Sequence, residues 1–154
     1  MEAWSDTEWR TLQLGPVWVV SALVGRNRFD ELEREAFWHA AADAPLGPSA
    51  LSWQLVQAMN RNRDWLFDEF MLDDRSIVSG LGQVTSLLER VPPEISRETR
   101  AAILRVGAGV ARARGPFGRR MTDQDAQTLA LVAQLLESTT ELAEDNPLNA
   151  NVAI

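Results

Sequence analysis

The residues of this sequence best suited to binding chemistry are four arginines in the stretch ARARGPFGRRMTDQDAQTL, residues 111–129: Arg112, Arg114, Arg119 and Arg120. They lie just before Thr122, which opens a predicted helix. The free amides of a helix N-terminus attract anions, and a guanidinium adds paired donors for a phosphate or a carboxylate. Asp123 and Asp125 occupy the same first turn and partly cancel this attraction. The stretch therefore predicts either a surface for an anionic ligand or an acidic partner, or a plain corner between two helices.

Two pairs of carboxylates are the candidates for a divalent-cation site: Asp30 with Glu33, and Asp123 with Asp125. Hard cations need several converging oxygen ligands, which such pairs could begin to supply. The same acids also suit the first turn of a helix, where they complement the helix dipole. A separate acidic run, DEFMLDD at 68–74, lacks the glycine and the alternating Asp spacing of an EF-hand loop. A cation site and a solvated, helix-capping face are the two alternatives.

Catalytic chemistry finds little support in the sequence. His39 is the only histidine, and no nucleophile-elbow motif accompanies it. The chain has no cysteine, which excludes a disulfide framework, a cysteine-liganded zinc site and a thiol nucleophile. We therefore predict a protein that is not an enzyme and has no cofactor beyond a bound divalent cation.

The six tryptophans all lie in the first 65 residues. Large aromatic side chains of this kind are core anchors whose indole N–H lies at the edge of the core. Tryptophan is also enriched at protein interfaces. Trp4 and Trp9, near the N-terminus, are the candidates for an interface between subunits.

Composition and charge narrow the class of protein. The length of 154 residues suits one domain that can bury a large core without staples. The net charge of −7 argues against general nucleic-acid binding, although seven arginines and one acid lie between Arg97 and Arg120. The longest apolar stretch, residues 14–25, is shorter than the ~20 residues of a membrane span. The acidic segment MEAWSDTEWR is unlike a signal peptide, so we predict a cytoplasmic protein without membrane insertion.

Helix signals run through the chain and predict an all-α, single-domain bundle of six or seven helices over residues 1–144, followed by an irregular tail at 145–154. The sequence SDTE at 5–8 forms a capping box for the first helix. That helix is predicted to end near Gly15, and Pro16 to open a second, fully buried helix. A third helix is predicted from Asp30, with Leu32, Ala36, Phe37 and Ala40 facing inward, up to the break PLGP at 45–48.

The second half of the chain continues the same pattern. A fourth helix is predicted from about residue 49 to 72 with a bend at NRN, residues 60–62, and a fifth from about 76 to 90. A sixth runs from about Arg97 to Arg114, with Gly115 as the residue that ends it. A seventh opens at Thr122. Its predicted inward stripe is Ala126, Leu129, Ala133 and Leu136.

Two stretches share one layout: an apolar helix rich in small residues, a short basic loop with glycine and phenylalanine, and a helix with an acidic start. These stretches, PVWVVSALVGRNRFDELEREAFWHAA and ILRVGAGVARARGPFGRRMTDQDAQTLALVAQLL, resemble the TerB-like domain, named for the tellurite-resistance protein TerB. The resemblance implies an all-helical fold of two pseudo-symmetric hairpins, a link to bacterial stress or metal resistance, and divalent-cation binding at acidic loops. Where the family has Asp before Gly, this chain has Val24 and Arg114. A cation would be repelled by Arg114.

Three functions follow as hypotheses. The first is a non-enzymatic, TerB-like binding module that acts through protein or ion contacts, with a protein partner or a second copy as its main ligand. The second is a regulator or enzyme that binds a phosphorylated ligand or nucleic acid through the arginine-rich hairpin at 112–120. The third is an oligomeric scaffold with Trp4 and Trp9 at its interface.

Overall fold

The computed structural model describes residues 4–43, 50–114 and 121–137, and within these ranges the chain forms seven helices and no strand. They are α1 (Asp6–Val24), α2 (Glu31–Asp43), α3 (Ala50–Arg61), α4 (Leu66–Leu72), α5 (Ile77–Leu88), α6 (Pro93–Arg114) and α7 (Asp123–Leu135). The prediction of an all-α bundle is confirmed. The predicted break at 45–48, the helix end at Gly115, the domain end at 144 and the tail at 145–154 lie outside the described residues.

The predicted break between Gly15 and Pro16 is wrong, because α1 continues through both residues. A proline inside a helix costs ~3 kcal/mol or more, since it removes one backbone hydrogen bond and crowds the preceding turn. Burying a large apolar side chain returns about 1.5–3 kcal/mol. Six such side chains of α1 are at most 2% exposed, so their burial outweighs the proline: Leu12, Leu14, Val17, Trp18, Val19 and Val20.

Side-chain caps define several helix starts. Ser5 and Glu8 form the predicted capping box of α1, in which the Ser5 amide donates to Glu8 at 2.9 Å and the Glu8 amide to Ser5 at 3.1 Å. Thr122 caps α7 as predicted, accepting from the Asp125 amide at 3.1 Å. The start of α6 was predicted four residues too late. Pro93 begins that helix because proline lacks the N–H that the first turn leaves unpaired.

The predicted bend at residues 60–62 is a complete break between α3 and α4. Asn62 lies in the turn, and its amide nitrogen donates to the Gln13 side-chain oxygen at 2.6 Å. Gln13 is itself buried in α1. The chain therefore leaves the helix where a side-chain amide is needed to satisfy a buried polar group.

The residues that α2 and α7 bury differ in part from the predicted inward faces of these helices. Leu32 of α2 is 69% exposed rather than buried. In α7 the buried residues are Asp125 and Val132, and Leu136, just after the helix, is also buried. Leu129 is partly buried, whereas Ala126 is exposed and Ala133 is only partly buried. The real α7 stripe follows the larger side chains, because burying them removes more apolar surface from water than burying alanine does.

Helix α1 lies at the centre of the bundle and contacts α3, α4, α5, α6 and α7. It runs in the same direction as α6, since Gly15 lies against Ile103 and Gly107 lies against Val19. The two predicted hairpins correspond to α1 with α2 and to α6 with α7. Each second helix packs mainly on the first helix of the other hairpin, so α2 packs on α6 and α7 packs on α1. This arrangement leaves α2 at the outside of the bundle.

The C-terminal end of α7 is held by side chains from two other helices. The hydroxyl of Thr85 in α5 lies 2.9 Å from the Leu135 carbonyl and 3.0 Å from the Leu81 carbonyl of its own helix, and these two acceptors share its one proton. The guanidinium of Arg100 in α6 donates to the Leu136 carbonyl at 2.9 Å. The last carbonyls of a helix have no partner within it, so these two side chains supply what the helix lacks. In the part of the chain that the structure describes, no helix is both long and apolar enough to cross a membrane.

Candidate functional site

A groove of about 750 Å³ runs between α2 and α6 on the surface of the bundle. Its floor consists of small residues from both helices: Ala36, Ala40, Ala108, Gly109 and Ala113. Leu32 lies along the groove with its side chain mostly in solvent. We define this feature as the α2–α6 groove. Its floor is apolar, which suits apolar side chains of a partner better than a compact polar ligand.

The two helices approach each other closely at one point of the floor. A β-carbon built on Gly109 would lie 2.6 Å from the Ala40 Cβ, which is too close for any residue larger than glycine without a shift of one helix. Glycine and alanine at a helix crossing allow two backbones to approach. Small residues also leave the space above them empty, and this space forms the groove.

The two sides of the groove carry opposite charges. Glu35 and Asp43 lie on the α2 side, which we call the acidic lip. Arg105 and Arg112 lie on the α6 side, which we call the basic lip. His39 of α2 lines the groove between the two acids. Glu35, His39, Asp43, Arg105 and Arg112 are all exposed.

None of these five side chains forms an ion pair or a hydrogen bond with another residue in the ranges 4–43, 50–114 and 121–137. Elsewhere on the described surface, Arg26, Arg75 and Arg90 each pair with an acid. The charges of the groove are therefore available to a partner. Of the predicted partner-binding arginines, Arg112 lies here.

The other arginines of the predicted anion surface cannot be assigned to this groove. Arg119 and Arg120 lie outside the described residues, as does the side chain of Arg114, whose backbone ends α6. The prediction that the hairpin at 112–120 binds an anion therefore stays a prediction.

Asp30 and Glu33, the first predicted cation pair, cap the start of α2. The Glu33 amide donates to the Asp30 carboxylate at 2.7 Å, and the Asp30 amide donates to the Glu33 carboxylate at 2.9 Å. Arg26 also binds both oxygens of Glu33, at 2.8 and 3.0 Å, and this bond raises the pKa of Arg26. Glu33 is 5% exposed. Its carboxylate is thus already occupied by a guanidinium.

Asp123 and Asp125, the second predicted pair, lie in the first turn of α7. Asp125 is buried and its amide donates to the Thr122 hydroxyl, whereas Asp123 is exposed. Over residues 4–43, 50–114 and 121–137, no group of three or more His, Asp and Glu side chains lies close enough together to hold a metal ion. Cation binding by these acids stays a prediction.

Trp4 and Trp9, the predicted interface residues, stack on each other. Their ring centroids are 5.8 Å apart and their planes differ by 18°. Both rings are partly buried against the core. The indole Nε1 of Trp4 is buried and has no hydrogen-bond partner among the described residues. Part of the surface of both rings is thus used within the chain, and their role in an interface stays a prediction.

Sequence reasoning missed a polar cluster around Arg75, between α4 and α5. Its guanidinium binds Asp73, donates to Thr11 and Gln83, and lies 4.8 Å from the centroid of the Trp18 ring. The bond from Arg75 lowers the pKa of Asp73. All of these contacts are internal, so the cluster joins α5 and the α4–α5 loop to α1. An Asp-x-Arg pair just before a helix was the only sequence signal for it.

Glu35, Asp43 and Arg105 were also not predicted as site residues. Each looks like an ordinary solvated charge on its own helix. The available signal was the pairing of small residues with flanking charges, seen in Ala36 and Ala40 beside Glu35. The signal was weak, because only the packing of α2 on α6 brings the two lips together.

Comparison with known proteins adds no family or relative. No protein-family model, no curated protein and no solved structure matches the chain. The function must therefore be argued from the groove itself.

Proposed function

We propose that this protein is a non-enzymatic binding module whose partner is a helical segment of a protein, held in the α2–α6 groove. The observation that carries the proposal is the pair of oppositely charged lips on an apolar floor. A partner helix with a ridge of small apolar residues would cover the floor. Basic residues on one flank would meet Glu35 and Asp43, and acidic residues on the other would meet Arg105 and Arg112.

The chemistry of the lips favours a protein over a small anion. An anion would be attracted by the two arginines and repelled by the two acids on the opposite side. A helix that carries both charges gains on both flanks and also covers the exposed Leu32. Peptide recognition by a helix laid in a groove is a common mode of protein binding. The resemblance to TerB-like domains agrees with a binding role and assigns it to bacterial stress or metal resistance, which stays a prediction.

Binding of a designed peptide tests the proposal directly. A stapled helix with the length of α2, 13 residues, would carry an alanine ridge, lysines on one flank and glutamates on the other. The matched control peptide has the same composition, with one lysine and one glutamate on each flank. We expect the first peptide to bind with a Kd in the micromolar range, which corresponds to a binding free energy near −8 kcal/mol. The control is expected to bind at least ~10-fold more weakly.

Fluorescence anisotropy of the labelled peptides gives both constants. A second variant separates the groove from the rest of the surface: Ala113→Trp would fill the groove from an exposed position and is expected to abolish binding without lowering the melting temperature. Equal binding of the two peptides, or binding that survives Ala113→Trp, would contradict the proposal. Phosphate and short DNA serve as competitors, and displacement by either would instead support the arginine-hairpin hypothesis.

A further inference from the structure

We infer that the partner of the α2–α6 groove is the same groove of a second copy, so that two chains form a two-fold symmetric dimer. This inference rests on the proposed function and names its partner. In the dimer, the acidic lip of each copy contacts the basic lip of the other, and the two alanine-rich floors face each other. The result is a four-helix contact of α2 and α6 from both copies.

Symmetry makes the surface complementary to itself. A two-fold axis that lies between the two copies and runs parallel to the groove exchanges its two sides, so α2 of one copy lies over α6 of the other. A surface with one sign of charge would repel its own copy. This groove has acids on one side and arginines on the other, so rotation brings each charge over its opposite. Neither lip has a partner within the described part of its own chain.

The charges also match in spacing. Glu35 and Asp43 are eight positions apart, which is about 12 Å along a helix at 1.5 Å per residue. Arg105 and Arg112 are seven positions apart, or about 10.5 Å. The difference is smaller than the reach of an arginine side chain. Two acid–arginine pairs can therefore form on each side of the axis in one register.

The two lips are level with each other, as a two-fold axis requires. The midpoint of the acidic lip falls at His39, and the midpoint of the basic lip falls between Ala108 and Gly109. Ala40 and Gly109 lie in close contact, since a β-carbon on Gly109 would be 2.6 Å from the Ala40 Cβ. The two midpoints therefore lie side by side across the groove. The axis runs along the groove and passes over this point.

The expected affinity is modest. Helix α2 has 13 residues and is about 20 Å long, and two packed helices are about 20 Å wide, which gives a projected face of about 400 Å² per copy. Two faces of this size bury about 800 Å² in total, which is below the roughly 1,200–2,000 Å² of stable complexes and in the range of weak, transient ones. Burial of Leu32, which is 69% exposed in the single chain, adds apolar contact near one end. We expect a dimer with a Kd in the micromolar range.

Sedimentation velocity over a concentration series tests the dimer. The basic-lip variant carries Arg105→Glu and Arg112→Glu, and the acidic-lip variant carries Glu35→Arg and Asp43→Arg. Each variant alone has one sign of charge on both lips, so we expect at least a ~10-fold higher Kd for self-association. Mixing the two variants restores opposite charges across every contact, and the mixture is expected to form a heterodimer. A control with Arg61→Glu and Arg97→Glu changes two exposed helical arginines outside the groove and is expected to dimerise like the wild type.

The outcomes separate this inference from the proposed function. Wild-type protein that stays monomeric at concentrations up to about 1 mM would have a Kd for self-association weaker than about 1 mM. That result overturns the second-copy inference. If the designed peptide still binds that monomer, the groove serves another protein and the proposed function stands. A dimer that persists in both lip variants also overturns the inference. A dimer that dissociates on Trp9→Ala overturns it too, and places the contact at the Trp4–Trp9 stack.

A variant that fails to fold is recognised by its melting curve. The four lip side chains are exposed and make no bond within the described chain, so we expect both double variants to melt like the wild type. If one does not, the single change Arg112→Glu replaces it. Arg112→Glu alone is expected to weaken the dimer and to bind the acidic-lip variant better than it binds itself.

Discussion

The Cβ of Ala40 lies where a β-carbon on Gly109 would collide with it, at 2.6 Å, so the packing of α2 on α6 depends on glycine at position 109. The contact is between a side-chain carbon fixed to one backbone and the bare backbone of another helix. Neither group can move by a side-chain rotation, so relief would require a shift of one helix. The relative position of the two lips therefore depends on this contact.

Gly109→Ala is therefore expected to destabilise the fold even though alanine is the better helix former. Overpacking costs about 1–3 kcal/mol, and the gain in helix propensity returns at most ~1 kcal/mol. We expect a net loss of about 1–2 kcal/mol in the free energy of unfolding, measured by urea denaturation. Gly82→Ala is the matched control, because nothing lies within 4 Å of a β-carbon at that exposed helical position. A stability gain from both changes would show that α2 does not approach α6 in this way.

Leu32→Gln is expected to weaken self-association and peptide binding while leaving the melting temperature unchanged. Leu32 is mostly exposed in the single chain, so its replacement removes little from the folded core. Leu131→Gln is the control, since Leu131 is 62% exposed on α7 and does not line the groove. Equal effects of the two changes on the sedimentation coefficient would argue against burial of Leu32 in the dimer.

Asp73→Asn is expected to reduce stability at pH 7 by about 1 kcal/mol and to have little effect in acid. The hydrogen bond from Arg75 holds the pKa of Asp73 below its ordinary value of 3.8. A carboxylate with a lowered folded pKa stabilises the protein fully above its unfolded pKa, and this contribution is lost as the pH falls through the folded pKa. The difference in unfolding free energy between wild type and variant should thus shrink below about pH 4.

Asp74→Asn is the control for that measurement, because Asp74 is exposed and makes no hydrogen bond or ion pair with another described residue. Its stability profile against pH should follow that of the wild type. A gap between wild type and Asp73→Asn that stays constant from pH 7 to about pH 2 would mean that the Arg75 bond does not depend on the charge of Asp73.

Thr85→Val is expected to loosen the end of α7. The change keeps the shape of the side chain but removes the hydroxyl that donates to the Leu135 carbonyl, at a cost of about 1–2 kcal/mol. Faster amide hydrogen exchange in the last turn of α7 is the local readout. Ser86→Ala, one position along α5, removes an exposed hydroxyl that bonds only within its own helix. It should leave α7 unaffected.

Local rules predicted the features that depend on neighbours in sequence. The capping box of Ser5 and Glu8 and the cap at Thr122 were predicted from side chains three positions apart, and both are present. The polar run at 60–62 predicted a bend at the place where the structure has a complete break. These features need only backbone amides and nearby side chains, so the sequence contains the whole of the interaction.

Features that depend on distant packing were missed or mistaken. Pro16 is a helix breaker by local rules, but it lies in a helix surrounded by the rest of the bundle. Leu32 appeared to belong to a core stripe, because the pattern of α2 cannot reveal which of its faces meets α6. The groove itself joins Glu35 to Arg105 and Arg112, about seventy positions away in the chain. No periodicity within one helix reports such a pairing.

The packing of helices from one half of the chain on helices of the other half has a consequence for folding. Helix α2 packs on α6 and α7 packs on α1, so the stabilising contacts join residues that are far apart in sequence. Helical proteins with local contacts fold fastest, and long-range closure slows the search. This chain should fold more slowly than a simple up-and-down bundle of its size. A chain cut between α4 and α5 should give two fragments that are poorly structured alone and regain helix content when mixed.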